Sequence, residues 1–201
     1  LVATDQMEDS PTNNFCTLNP LVKSDIAVVY KEGNLEALFP ADTEAATGTV
    51  GMASGKWYFE FLQGDGGEYG GIVAGDAPKT FAGASAPQTS EGFMYYYDGR
   101  KRVDGTFTSY GASYTDLDVI GVAVNLDDTE ITFYKNNSTQ STISITGSCA
   151  TAASVVPVLM GGNSGTTSSY VNFGADSSFV GQLTAQGNQD GNSIGDFYYE
   201  P

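Results

Sequence analysis

Arg100, Lys101 and Arg102 are three of only eight basic side chains in the sequence, and they follow directly on Tyr95, Tyr96, Tyr97 and Asp98. In an extended strand alternate side chains share a face, so Arg100 and Arg102 point the same way. Two guanidinium groups side by side can grip a carboxylate or a sulfate through paired hydrogen bonds, while tyrosines such as Tyr96 stack on sugar rings. The other reading of these residues is a solvated hairpin whose charges are neutralised by neighbouring acids. Further on, Tyr110 and Tyr114 sit among Gly111, Ser113 and Thr115. Tyrosine mixed with Ser and Gly is the make-up of adaptable binding loops, because a rigid ring offers contact area at small entropic cost. Tyr96, Arg100, Arg102, Tyr110 and Tyr114 are therefore the candidate ligand-binding residues.

Catalytic chemistry has less to work with. The sequence has no histidine, which removes the usual general base, the Ser–His and Cys–His nucleophile pairs and the commonest zinc ligand together. Two carboxylates suffice for glycoside hydrolysis, but Glu60 is followed by Phe61, Leu62 and Gln63 and stands alone in its run. Asp127, Asp128 and Glu130 form the densest acidic group and read as the exposed turn of a hairpin. Asn188, Asp190, Asn192 and Asp196 gather oxygen ligands around Gly191, yet their spacing departs from an EF-hand loop. Asp65 and Glu68 are the other acidic residues weighed for a structural ion, and a plain polar loop is the reading taken for both places. Cys16 and Cys149 fit no metal or Cys-x-x-Cys spacing and read as free buried thiols. The sequence thus predicts no catalytic residue, no metal site and no cofactor.

These side chains need a scaffold, and the sequence supplies it as short β-type runs closed by turn residues. Over 54–61, Trp57, Phe59 and Phe61 alternate with Tyr58 and Glu60, the period of a strand with one face in a core. Ile131 with Phe133, and Val171 with Phe173, repeat the pattern, so Trp57, Phe59, Ile131, Phe133 and Phe173 are the expected core. Residues 26–30 and 35–39 flank Lys31, Glu32, Gly33 and Asn34, a hairpin signal with Gly and Asn available for positive φ. Asp98 and Gly99 give the same signal between 92–97 and 100–103. Residues 119–124 are almost continuously apolar, as in a central strand buried on both faces, and Asn136 with Asn137 turns the chain after 131–134. Pro157 has no N–H for a ladder, which places the run 155–160 at a sheet edge or puts Pro157 at its start. The stretch 64–89, rich in Gly, Ala and Pro, reads as a short strand at 71–74 between long loops. No segment carries a 3.6-residue apolar stripe, and one helical turn is expected over 178–183. The fold class is all-β, a two-sheet antiparallel β-sandwich over 26–180. An extended N-terminal arm, 1–25, packs on it through Phe15, Leu18 and Leu21, and a polar C-terminal tail follows over 181–201.

Four blocks in order resemble the SPRY domain, a concanavalin-like β-sandwich that binds partners through loops at one end. They comprise Ser54, Gly55, Tyr58 and Glu60; then Gly71, Val73 and Gly75; then Asp118, Gly121, Val122, Phe133 and Tyr134; and last Pro157 with Asn172, Phe173 and Gly174. The segments 9–20, with Asp9, Ser10, Pro11, Phe15 and Cys16, and 191–199, with Ile194, Gly195, Asp196, Phe197, Tyr198 and Tyr199, are similar to those that bracket SPRY-type domains in tail-fibre and related virion proteins of tailed bacteriophages. The resemblance implies a non-catalytic binding or adhesion module at the virion surface, on a tail fibre or a head-decoration protein. Its partner would be a host-surface glycan or protein. Two alternatives stay open: a structural module that packs against other virion subunits, as a homo-oligomer or otherwise, and a carboxylate-dependent glycosidase, since glucanases share the sandwich.

Charge narrows the partners. With 24 acidic and 8 basic side chains the net charge is −16, which repels phosphate backbones and anionic membranes, so no nucleic acid is expected. No apolar run approaches the ~20 residues of a membrane span, and no membrane insertion is expected. Residues 1–5 lack the basic end and apolar stretch of a signal peptide. A start at Leu1 without Met and an aromatic end at Phe197, Tyr198 and Tyr199 lead to the expectation of a piece of a longer protein.

Overall fold

The computed structural model describes residues 14–22, 28–40, 45–64, 66–67, 69–77, 92–161 and 166–201. They form two antiparallel sheets around a shared core. In chain order the strands are β1 (Val29–Lys31), β2 (Glu36–Phe39), β3 (Ala45–Thr47), β4 (Lys56–Gln63), β5 (Tyr69–Ala74), β6 (Gly92–Tyr96), β7 (Arg100–Val103), β8 (Thr106–Ser109), β9 (Val119–Asn125), β10 (Glu130–Lys135), β11 (Ser138–Ser144), β12 (Val155–Met160) and β13 (Thr167–Asn172), with a short helix α1 (Gly147–Thr151) between β11 and β12. The first sheet runs β1-β2-β13-β4-β9-β10-β11 and the second β3-β12-β5-β6-β7-β8.

The alternation in β4 decides how the layers meet. Phe59 pairs with Val122 and Phe61 with Ile120 on β9, and these side chains join Ile72, Phe93 and Tyr95 of the second sheet in one buried cluster. Ile131 and Phe133 of β10 extend the same row. Each such side chain, fully buried, contributes about 1.5–3 kcal/mol. Leu62 and Val119 face the other way, where they meet Phe179, and β9 is therefore covered on both sides as its apolar run implied. Turn chemistry also matches expectation. Glu32, Gly33 and Asn34 all take left-handed φ between β1 and β2, Gly99 does so between β6 and β7, and Asn136 and Asn137 at φ 46° and 65° close β10 onto β11.

The structure corrects four expectations about the strands and turns. Trp57 shares the inward parity of Phe59 but stands at the start of β4, at the open end of the sandwich, and is 40% exposed; its indole N–H donates to the Ser54 carbonyl at 2.8 Å. Phe173 is only partly buried, its ring 5.7 Å from that of Phe59. Pro157 lies inside β12, an interior strand between β3 and β5. Its carbonyl accepts from Gly48 N–H just past the end of β3, so the missing N–H faces the side on which the ladder has already stopped, and pairing with Ile72 on β5 is undisturbed. Residues 178–183 make successive turns instead of a helical turn, because Phe179 and Val180 sit at φ 51° and 61° while the Asp176 carboxylate accepts from Ser178 and Val180 N–H.

The arm is pinned by one residue more than by three. Leu18 is fully buried and its N–H donates to the Asn34 carbonyl at 3.0 Å, whereas Leu21 is 85% exposed. Residues 174–201 fold back over the outer side of β4. Glu60 is wholly buried there and its carboxylate accepts from the N–H groups of Tyr198 and Tyr199, both at 2.8 Å, from the Tyr58 hydroxyl and from the Asn172 amide at 3.1 Å. Burial pushes the Glu60 carboxyl up from its usual range, opposed by those four donors. Asn172 in turn accepts from the N–H groups of Gly174, Ala175 and Asp176, which is the physical content of the Asn172-Phe173-Gly174 block.

Candidate functional site

The Asp98–Gly99 turn carries β6 into β7, and the next hairpin carries β7 into β8 at the end of the second sheet. Register puts Met94 opposite Arg102 and Arg102 opposite Phe107, so Tyr96, Arg100, Arg102 and Phe107 share the outer face. Tyr96 stacks on Tyr69 at 3.8 Å and meets the edge of Phe107 at 4.7 Å. The Arg100 guanidinium lies 4.6 Å from the Phe107 ring centre, and that of Arg102 lies 5.6 Å from it. This is cation–π geometry. Burial and the neighbouring Tyr69 push the Tyr96 hydroxyl well up, so it stays a neutral donor.

Asp98 holds Arg100 through Nη2 at 2.6 Å and Nε at 2.7 Å and accepts the Arg100 N–H at 3.0 Å. Burial raises the Asp98 carboxyl, but these bonds to Arg100 outweigh it and hold it below its usual range. The fork is thus pre-oriented on an exposed turn. A partner's anion would exchange for Asp98, and a flat group would lie on Phe107, 39% of which is exposed. Arg102 is 8% exposed and acts from beneath. Phe107 and Tyr69 were missed in the sequence. A lone Phe in the polar run Thr106–Ser109 carries no alternation signal, and Tyr69 lies in the Gly-rich run before 71–74 that reads as loop.

Tyr110 and Tyr114 do not join this cluster. Tyr114 is 1% exposed; its hydroxyl donates to the Tyr95 carbonyl at 2.8 Å and its ring packs on Phe61 and Tyr95. It belongs to the core, a correction to its expected place on a binding loop. Tyr110 is half-buried, set edge-on to Tyr95 and Phe133, with its hydroxyl donating to the Ser141 carbonyl and burial pushing its pKa up to about 12. Lys101, on the inward side of β7, sits 5.2 Å from the Tyr110 ring centre. The loop between β8 and β9 is bolted down: Lys135 Nζ donates to the Ser113 carbonyl at 2.8 Å and pairs with Asp118 at 3.1 Å. Burial raises the Asp118 carboxyl, but Thr115 N–H, the Asn136 amide and Lys135 prevail and hold it below its ordinary value. The loop supports the hairpin as a rigid buttress.

The remaining candidates are engaged locally. Asp127 accepts the Gly55 N–H at 2.8 Å, and Asp128 accepts from the Asn125 amide at 2.7 Å, both as turn contacts. Asp190 accepts from Asn192 and Ile194 N–H within its own loop. Among the described residues no group of three or more Cys, Asp or Glu is spaced to hold a metal, and Asp65 and Glu68 lie outside those residues. Cys16 and Cys149 are free thiols. Beside Trp57 an apolar hollow of about 140 Å³ is lined by Phe15, Met52, Phe59, Pro157 and Phe173.

A two-sheet antiparallel sandwich with an exposed cation–aromatic hairpin, with Asp127, Asp128 and Asp190 tied into turns and Glu60 buried, fits a scaffold that presents a surface. The SPRY domain model matches residues 56–176, more than half of the sequence, and the chain belongs to that family. SPRY domains are generally non-catalytic modules of protein interaction. Among solved structures the chain is similar to stonustoxin (17% identity, TM-score 0.61, 78% of this chain and 27% of that one), to the SPRY domain of human HERC1 (16%, 0.62, 77% and 96%) and to the PSpry domain of TRIM65 (12%, 0.61, 79% and 89%). At these identities the likeness shows the fold. The chain spans about a quarter of the stonustoxin chain it matches. No curated protein matches the sequence.

Proposed function

We propose that this SPRY chain is a non-catalytic adhesion module of a tailed-bacteriophage virion, on a tail fibre or head-decoration protein, that recognises a host-surface protein or glycan through the β6–β8 hairpins. The observation that carries the binding surface is the Arg100–Tyr96–Phe107 cluster, a pre-oriented guanidinium with aromatic faces on a buttressed turn. Rigid presentation limits the ordering cost of association, and exposed aromatic and Arg side chains are the residue types that carry interface energy. The virion setting is supported by the likeness of segments 9–20 and 191–199 to those flanking SPRY-type domains in phage fibres. Host adhesion follows from that setting.

The test is direct. Recombinant chain is applied to bacterial cell envelopes and to a glycan array, with Arg100→Ala and Phe107→Ala beside it. Binding by the parent chain, reduced by about tenfold or more in each variant, supports the reading; tenfold corresponds to about 1.4 kcal/mol. Equal binding by all three moves the surface elsewhere. Binding to neither probe favours the structural role of packing against virion subunits, and release of reducing ends from a polysaccharide favours the glycosidase.

A further inference from the structure

β8 is the last strand of the second sheet, and all four of its residues are exposed. Alternate residues of a strand turn their N–H and C=O groups to opposite sides, so about half of the backbone groups of β8 pair with β7 and the rest face outward. Among the described residues no strand pairs with that outer edge. Sheet edges are usually blunted by shortness, proline, a charged side chain or a bulge, and β8 at four residues has only the first. Thr106, Phe107, Thr108 and Ser109 include none of the other three, and their register on β7 runs unbroken from Val103–Thr106 to Arg100–Ser109.

We infer that β8 is a docking edge at which an extended, acidic segment of a partner protein adds as a further strand. This names the partner chemistry for the hairpin surface above and rests on that reading. Charge selects the occupant. Of the six Lys and Arg side chains among the described residues, Arg100, Lys101 and Arg102 lie together on β7, one strand spacing of about 4.8 Å from β8. Elsewhere Lys31 and Lys135 are paired with Glu36 and Asp118 and Lys56 stands singly at the start of β4, while Arg100 is held by Asp98, whose place an incoming carboxylate would take. A chain of net charge −16 repels acidic segments over most of its surface, so this strand is where one is received. A second copy is the wrong occupant, since it brings its own −16 and sets one basic strand near another. On the outer face half-exposed Arg100 and Phe107 supply an ionic and an apolar foothold for alternate side chains of the incoming strand.

The experiment selects from a random dodecapeptide display library on the intact recombinant chain, then measures NMR amide exchange with the enriched peptide bound. Expected are peptides of net negative charge with strand-type alternation, slowed exchange of the outward amides of β8, and affinity about tenfold or more weaker in the double variant Arg100→Glu, Lys101→Glu and in high salt. Neutral or basic enriched peptides, acidic peptides that leave the β8 amides unprotected, or no enrichment at all overturn strand addition. Acidic peptides lost in Phe107→Ala but giving no β8 protection would sink the strand mode alone and leave the hairpin as the binding surface. Binding untouched by Phe107→Ala and by the charge reversal would sink both.

Discussion

Trp57 and Phe59 share parity on one strand and differ in fate. Phe59 is buried between two sheets and Trp57 stands at the open end, so Phe59→Ala should cost about 3–5 kcal/mol and Trp57→Ala under about 1 kcal/mol in urea unfolding. Similar costs for both would mean that the sandwich extends further over β4 than described. Glu60 shows the other side of the same strand. Replacing it by Leu leaves the N–H groups of Tyr198 and Tyr199 facing a methyl group, about 1–3 kcal/mol for each orphaned donor. The expected result for Glu60→Leu is loss of exchange protection at those two amides while β9 amides keep theirs. Asp118 governs the acid limb. A carboxylate held low in the folded chain favours folding above its unfolded pKa of about 3.9, and that contribution is lost as pH falls through the lower folded value. Asp118→Asn should therefore be less stable than the parent at neutral pH, with the gap closing below about pH 4; a constant gap across that range would remove the ionic role.

Among the elements, β5 and β6 approach so closely that a Cβ on Gly71 would lie 1.9 Å from the Phe93 carbonyl oxygen and 3.0 Å from the Met94 Cα. Backbone cannot retreat from a side chain as a flexible neighbour can. Gly71→Ala should cost more than about 3 kcal/mol or abolish soluble expression, whereas Gly105→Ala, with open space around it, should cost about 1 kcal/mol for its φ of 77°. β4 and β10 were legible because burial on one side imposes a period of two, and β9 because burial on both sides leaves a continuous apolar run. Turn positions were legible because positive φ selects Gly and Asn. β8 and β11 were not legible: both are polar edge strands, and nothing in their composition distinguishes an exposed strand from a loop. Pro157 was placed at an edge because its missing donor was weighed against a full ladder, while β3 stops one residue short of it. Of the five candidate binding residues, Tyr96, Arg100 and Arg102 came together because alternation fixes a face. Tyr110 and Tyr114 did not, because loop composition says nothing of depth. Tyr114 is a core ring that happens to lie between strands.

For the molecule as a whole, a net charge of −16 on 201 residues sets a self-repulsion that salt relieves. Raising NaCl from about 20 mM to about 500 mM should raise Tm by about 2–4 °C, the size of a change of about 1 kcal/mol in a domain of this length; a fall would mean that ion pairs outweigh the repulsion. The same field shapes function. It turns acidic ligands away from most of the surface and leaves β7 with β8 as the receptive strip, while the tail over Glu60 and the buttress at Asp118 keep the scaffold rigid. The measurement that bears most directly on this account is an alanine scan of every exposed side chain, read out as binding to bacterial cell envelopes. The account predicts that losses of about tenfold or more gather at Arg100 and Phe107, with Trp57 and Leu21 neutral. Losses gathered around Trp57 or the loop after β9, with the β6–β8 hairpins neutral, would contradict it.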